Sequence, residues 1–518
     1  MPGSIPGNDV SAVQSLYPAG FREFRTADVM LRKILTVSFS FLMLTGCSGL
    51  FEKDVVKIAP VPEFDNKVEI QELWSKSVGS GSGTWYSLLA PAVDSKYVFA
   101  ADRNGNVYSI DRITGSTVWS TDLDDEDEND DRRSVRLSGG VAEGDSNVYV
   151  GSENGWLYAL SKTDGTLAWK KNPGCEIVSK PAAEAGSVFA LCSDGSAHAY
   201  SEYDGTELWN TATENQGLTV RGVSSVLAKG GVLIYGTAAG NTAIVHQKNG
   251  LLLNMIRTGH ARGASNLERL IDVDSTPVLD GSVLYTVAYQ GDIVASDLRQ
   301  HRELWRKKLS SLGDISVGGG KVFVTDDAGH VHALSSYDGG SEWSNDALSY
   351  RNVTGTAAAG GYVIVGDMDG YLYFLDAYTG EFAAKYRLDR GSVYSAPAVY
   401  DGVIYAETSK GNVYALALPG FVAPDESPAE EEERLRKEEE QAAEEEAARR
   451  KAEEEAAEAD EESPDDDSSA DSESSDDSDS SGSSDSYEDE SSGEDSDDSG
   501  SSRRRKGGFS ILNPGFSG

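Results

Sequence analysis

Cysteine is scarce in this chain, with three in 518 residues: Cys47, Cys175 and Cys192. No Cys-x-x-Cys pair and no cysteine–histidine group at metal-ligand spacing stands in the sequence, which argues against a structural zinc site. Basic charge is scarce as well, 45 Lys and Arg against 86 Asp and Glu, for a net charge of −41. Nucleic-acid backbones are held by concentrated Lys and Arg, so nucleic acid is excluded as a partner. The one basic run, Arg503 to Lys506, is too short to change that. A long apolar run is also missing. The stretch from Ile34 to Leu44 is too short to span a bilayer as a mature helix.

What is present divides into unlike parts. Residues 421–518 hold 35 acidic and 10 basic side chains, a net of −25, so residues 1–420 carry the remaining −16. Near the start, "MLRKILTVSFSFLMLTGCSG" begins at Met30 with a basic pair, continues through a short apolar core and closes on Leu44-Thr45-Gly46-Cys47. That order is the signature of an export signal. Its end resembles the bacterial lipobox, which implies cleavage before Cys47, acylation of that cysteine and a lasting lipid anchor. Ser48 after the cysteine implies the outer membrane under enterobacterial-type sorting. Residues 1–46 are therefore expected to be a leader plus signal peptide, with translation starting at Met30, and 47–66 a lipidated tether.

The body, expected over 67–418, is a repeat. Glycines at 105, 155, 195, 240, 291, 329, 370 and 411 each open an alternating strand and a turn rich in Asp and Gly. Fourteen residues after the first seven stand Trp119, Trp169, Trp209, Asn254, Trp305, Trp343 and Ala384, with no gap required. Two further strands precede each glycine, giving four short antiparallel strands per repeat, the size of a propeller blade. The eighth repeat lacks its fourth strand, and "QELWSKSVG" near the start supplies it, with Trp74 in the repeat position. An all-β, eight-bladed propeller closed by its N-terminal strand follows. The repeated Trp is read as a structural wedge between blades. Cys175 and Cys192 flank the first hairpin of the third blade, within reach of a disulfide if oxidised after export; two buried thiols are the alternative.

The acidic end lacks an apolar stripe. Residues 419–462 are expected as a charged helix or linker held by pairs such as Glu446 with Arg450, and 463–518 as a disordered Ser/Asp-rich tail. No role for either is legible.

The Asp-Gly-x-x-x-Trp repeat resembles that of the pyrroloquinoline quinone dehydrogenases, so a periplasmic quinone-dependent enzyme is the alternative reading. Against it stand compact blades, no vicinal cysteine pair, no Cys-x-x-Cys-His haem attachment and no assignable calcium–quinone ligand set; no catalytic residue and no cofactor is expected. A second resemblance is more specific. "LTVRGVSS" at Leu218–Ser225 and "NLERLIDVDSTPVLDGSVLYTVAYQGDIVASDLR" at Asn266–Arg299 are similar to the BamB family, the propeller lipoproteins of the outer-membrane β-barrel assembly machinery. That resemblance implies a non-enzymatic scaffold, lipid-anchored in the outer membrane and facing the periplasm. It implies binding to the periplasmic domains of the barrel-inserting subunit, BamA, with nascent outer-membrane proteins a further partner left open. By motif, the partner-binding positions are Leu218, Val220, Arg221, Asp272 and Asp274; Val220 stands where the family pattern has leucine. Independently, Arg221 and Asp272 each lie nineteen residues before their repeat glycine. They therefore occupy equivalent positions in adjacent blades, just ahead of the innermost strand. A salt bridge there would contribute only about 0–1 kcal/mol if exposed; a mixed-charge rim patch beside Leu218 is the functional reading.

Overall fold

The computed structural model describes residues 56–85, 87–123, 135–212, 224–260, 265, 270–424 and 426–461. Among these are eight four-stranded antiparallel sheets. Blades 1 to 7 span residues 92–122, 137–171, 182–212, 227–257, 278–308, 316–345 and 357–387. Blade 8 joins 398–417 to the strand Gln71–Ser77, which pairs with Asn412–Ala417 and sets Trp74 opposite Ala415. The expected closure is therefore present. Except between blades 4 and 5, the short first strands of neighbouring blades pack closely against one another, that of blade 8 against that of blade 1, so the ring closes. Second and third strands carry the core, with Tyr149, Tyr235, Tyr373 and Tyr405 fully buried.

Each fourth strand carries a one-residue β-bulge just before the repeat position, as where Trp209 faces Ala199 and Glu207 faces Tyr200 across Leu208. A bulge re-aims the following side chain, and here the indole is turned onto the next blade. Trp74, Trp119, Trp169, Trp209, Trp305 and Trp343 each donate Nε1–H to a backbone carbonyl there, of Arg112, Lys162, Glu202, Gln247, Ser336 and Ala377, at 2.6–3.1 Å. The ring lies under the turn glycine of that blade. A Cβ on Gly115, Gly165, Gly205, Gly250, Gly339 or Gly380 would come within 2.4–2.7 Å of the Trp, and all six have φ of 66–74°. Opposite each Trp stands Ala or Ser, which leaves room for the indole.

Two junctions are built differently. Ala384 faces Phe374, so bulk is supplied from the third strand instead. The strand that holds Ala384 is covered by residues 59–67: Lys67 donates its backbone N–H to Ala383, Asn66 exchanges two hydrogen bonds with Lys385, and Phe64 stacks on Phe382. This stretch is docked chain, so residues 59–66 are part of the folded body and not of a free tether. At the other junction Asn254 faces Ile244, and the next turn has His301 at φ 50° where glycine would stand.

Cys175 and Cys192 are joined by a disulfide, Cα–Cα 5.7 Å. It ties the lead-in of blade 3 to the end of its second strand. After the propeller, a helix runs Pro428–Glu461. Ser427 caps it: its Oγ accepts from Glu430 N, and Glu430 Oε2 accepts from Ser427 N. The same hydroxyl donates to Asp111 of blade 1 at 2.7 Å. No helix among the described residues is long and apolar enough to cross a membrane.

Candidate interaction rim

One rim of the ring is formed by the turns between second and third strands together with the loops that lead from each fourth strand to the next blade. Asp272 and Asp274 lie in such a loop, between blades 4 and 5. The chain is held there by its backbone. Asp272 accepts at its carbonyl from Tyr289 N at 2.7 Å, and Val273 N donates to Thr237 of blade 4. Ile271 packs beneath Gly240 and Gly259, and Val273 against Gly236, where added Cβ atoms would clash. Arg306 fastens the same junction from blade 5, donating to the carbonyls of Arg257 and Thr258 and to Asp292 and Glu303. Sequence reading placed both aspartates on a rim patch, but Asp272 is only 3% exposed, and Asp274 is partly covered. Burial, then the Asp272 carboxylate and a hydrogen bond with it, pushes the Asp274 carboxyl well above the usual range.

Leu218, Val220 and Arg221 lie outside the described residues, as does Cys47. Their neighbour Ser224 donates to the carbonyl of Ser275 at 3.0 Å. Ser224 therefore stands beside the Asp272–Asp274 loop.

Two arginines elsewhere on this rim are paired. Arg103 and Glu153 form a bidentate contact at 2.6–2.7 Å across blades 1 and 2, with the exposed ring of Trp85 over Arg103. Arg351 grips Asp367 and Asp369 and donates to the carbonyl of Ala59. Desolvation lowers the Arg351 pKa, but those carboxylates outweigh it and hold the group above its usual value. Between blades 4 and 5, where the Trp is missing, a cleft of about 230 Å³ is lined by Asn254, Arg257, Leu298, His301, Arg302 and Arg306.

One group was missed by sequence reading. Asp326, His330 and His332, in and after the 2–3 turn of blade 6, bring three metal-binding atoms within 4.8 Å of one another. The sequence search was for cysteine-based spacing, and this group contains no cysteine. Its signal was His-Val-His on a strand, since alternation puts residues two apart on one face, with a carboxylate four residues earlier.

The fold defines the class: an eight-bladed propeller with Trp-wedged blades, of the kind shared with quinoprotein enzymes. The Comamonas testosteroni quinohemoprotein alcohol dehydrogenase superposes with TM-score 0.52 at 15% identity, over 69% of this chain and 78% of that one, a likeness of fold alone. The crystal structure of BamB from Moraxella catarrhalis gives TM-score 0.61 at 24% identity, over 68% of this chain and all of that one. A family model described as outer membrane protein assembly factor BamB matches residues 71–130, 103–345 and 348–420. The Yersinia pestis protein of that name is 37% identical over 391 residues, 75% of this chain and 99% of its own length. The Escherichia coli K12 one is 34% identical, over 75% and 100%. The chain belongs to the BamB family, whose named members are assembly factors and not enzymes.

Proposed function

We propose that this protein is a non-enzymatic scaffold of outer-membrane barrel assembly. It is lipid-anchored through Cys47 in the outer membrane, faces the periplasm and binds the periplasmic domains of the barrel-inserting subunit, BamA. The observation that carries this reading is the match to relatives named as outer membrane protein assembly factors over nearly their whole length. Leu218, Val220 and Arg221 form the contact element, and interface cores favour arginine among apolar neighbours. Asp272 and Asp274 act through the shape and charge that they give the loop between blades 4 and 5. Nascent outer-membrane proteins dock by strand addition to blade edges. The quinoprotein likeness rests on fold alone and supports no catalytic reading.

The test is a crosslinked pulldown of tagged protein from membranes, wild type against Arg221→Glu. Recovery of the barrel-inserting subunit by wild type and its loss in the variant supports both role and site. Recovery by both keeps the role and removes Arg221 from the site. Recovery by neither leaves the scaffold reading without support.

A further inference from the structure

We propose that Asp326, His330 and His332 form a binding site for a divalent transition metal of the zinc class. Asp326 Oδ2 lies 2.9 Å from His332 Nε2 and 3.0 Å from His330 Nδ1. Bonds of roughly 2.0–2.2 Å to one shared ion place neighbouring ligand atoms about 3 Å apart, which matches both Asp–His spacings, and all three atoms lie within 4.8 Å of one another. Two imidazoles and one carboxylate select zinc, nickel, cobalt or copper over the hard cations calcium and magnesium.

The carboxylate is held in place by its other oxygen. Asp326 Oδ1 accepts from the backbone N–H of Ala328 and of His330, at 3.0 and 2.9 Å, which caps the turn. Asp102 and Asp367 cap the equivalent turns of blades 1 and 7 in the same way. Their second oxygens differ in company. Asp102 Oδ2 receives Ser80 and Asn106, and Asp367 Oδ2 receives Arg351 and Tyr373, all hydrogen-bond donors. In blade 6 the second oxygen is within hydrogen-bond distance of two imidazole nitrogens, groups that can also bind a metal.

His330 Nε2 contacts the Ser349 hydroxyl at 3.1 Å, so the ring is held at the nitrogen that faces away from Asp326. A ligand histidine whose other nitrogen is fixed by an outer hydrogen bond is the usual arrangement around protein-bound metals. Side-chain exposures of 31, 19 and 21% for His330, His332 and Asp326 leave the site open to solvent. The site sits on blade 6 and does not depend on the scaffold reading.

Full-length protein stripped with a chelator is titrated calorimetrically with Zn²⁺ and, separately, with Co²⁺ followed by visible absorption. One equivalent is expected to bind to wild type, with a cobalt spectrum of mixed nitrogen–oxygen ligation and a raised Tm. His330→Ala and His332→Ala should each weaken this by more than the 10–100-fold that loss of an outer partner costs. Asp326→Asn, which keeps the turn cap, serves as the variant least prone to unfold, and circular dichroism monitors the fold in all three. The acidic tail and Cys47 are common to every sample. Binding that is equal in wild type and the histidine variants, or no binding by wild type, overturns the site.

Discussion

The junction between blades 2 and 3 and the junction between blades 4 and 5 are made from the same repeat and differ at three positions. The first has Trp169 opposite Ala159 and beneath Gly205. The second has Asn254 opposite Ile244, with His301 in place of the glycine. Trp, small partner and glycine are thus one unit distributed over two blades: the indole needs both a short neighbour and a turn without a Cβ. Once the indole is absent neither need remains, the cross-strand residue grows, and the turn carries a side chain at positive φ. The sealed junction encloses its ring, whereas the open one retains a cleft and supports the Asp272–Asp274 loop.

The largest expected break of this contrast is Trp169→Ala. Deleting a buried indole and its hydrogen bond to Glu202 should cost about 3–5 kcal/mol, read by chemical denaturation. Gly205→Val tests the other half of the unit, since a Cβ there meets Trp169 at 2.7 Å and φ is 67°. Overpacking on this scale costs about 1–3 kcal/mol, and an unchanged midpoint would show that glycine and Trp are independent. A sharper experiment converts the open junction into a sealed one. Asn254→Trp alone should lower Tm because Ile244 and the His301 side chain occupy the space. Adding Ile244→Ala and His301→Gly should bring stability back to within about 1.5 kcal/mol of wild type. The smallest effect is pH-dependent. Because the folded Asp274 carboxyl is pushed above its ordinary value of 3.8, its contribution is fully present below that value and is lost as pH rises through the higher folded value. Asp274→Asn should flatten this limb of the curve of Tm against pH; a limb as steep as in wild type would remove Asp274 as its source.

Most of the ring could be read from the chain because the repeat is local. The spacing from glycine to Trp lies within one hairpin, and the orphan strand around Trp74 announced closure. The wedge role of Trp was legible too, but not its dependence on the glycine of the following blade, which lies 34 to 46 residues further on at the six junctions. The rim was legible only in outline. Equivalent spacing located Asp272 at the lead-in of blade 5, yet nothing in "IDVDS" tells that Asp272 is buried and Asp274 protonation-prone. Those properties come from Ile271 and Val273 being packed under the turns of blade 4. The Asp326–His330–His332 group escaped a search for cysteine-based spacing, because its carboxylate is recruited by a turn.

By itself, then, the sequence determined the blade count, the order of strands, the closing strand and the repeat positions, since each follows from short-range periodicity and turn chemistry. Only the tertiary structure decided which glycine answers which Trp, where a missing Trp leaves a cleft, and which carboxyl loses its water. These depend on what one blade presents to the next, and neighbours across a junction are set by ring closure, not by position along the chain.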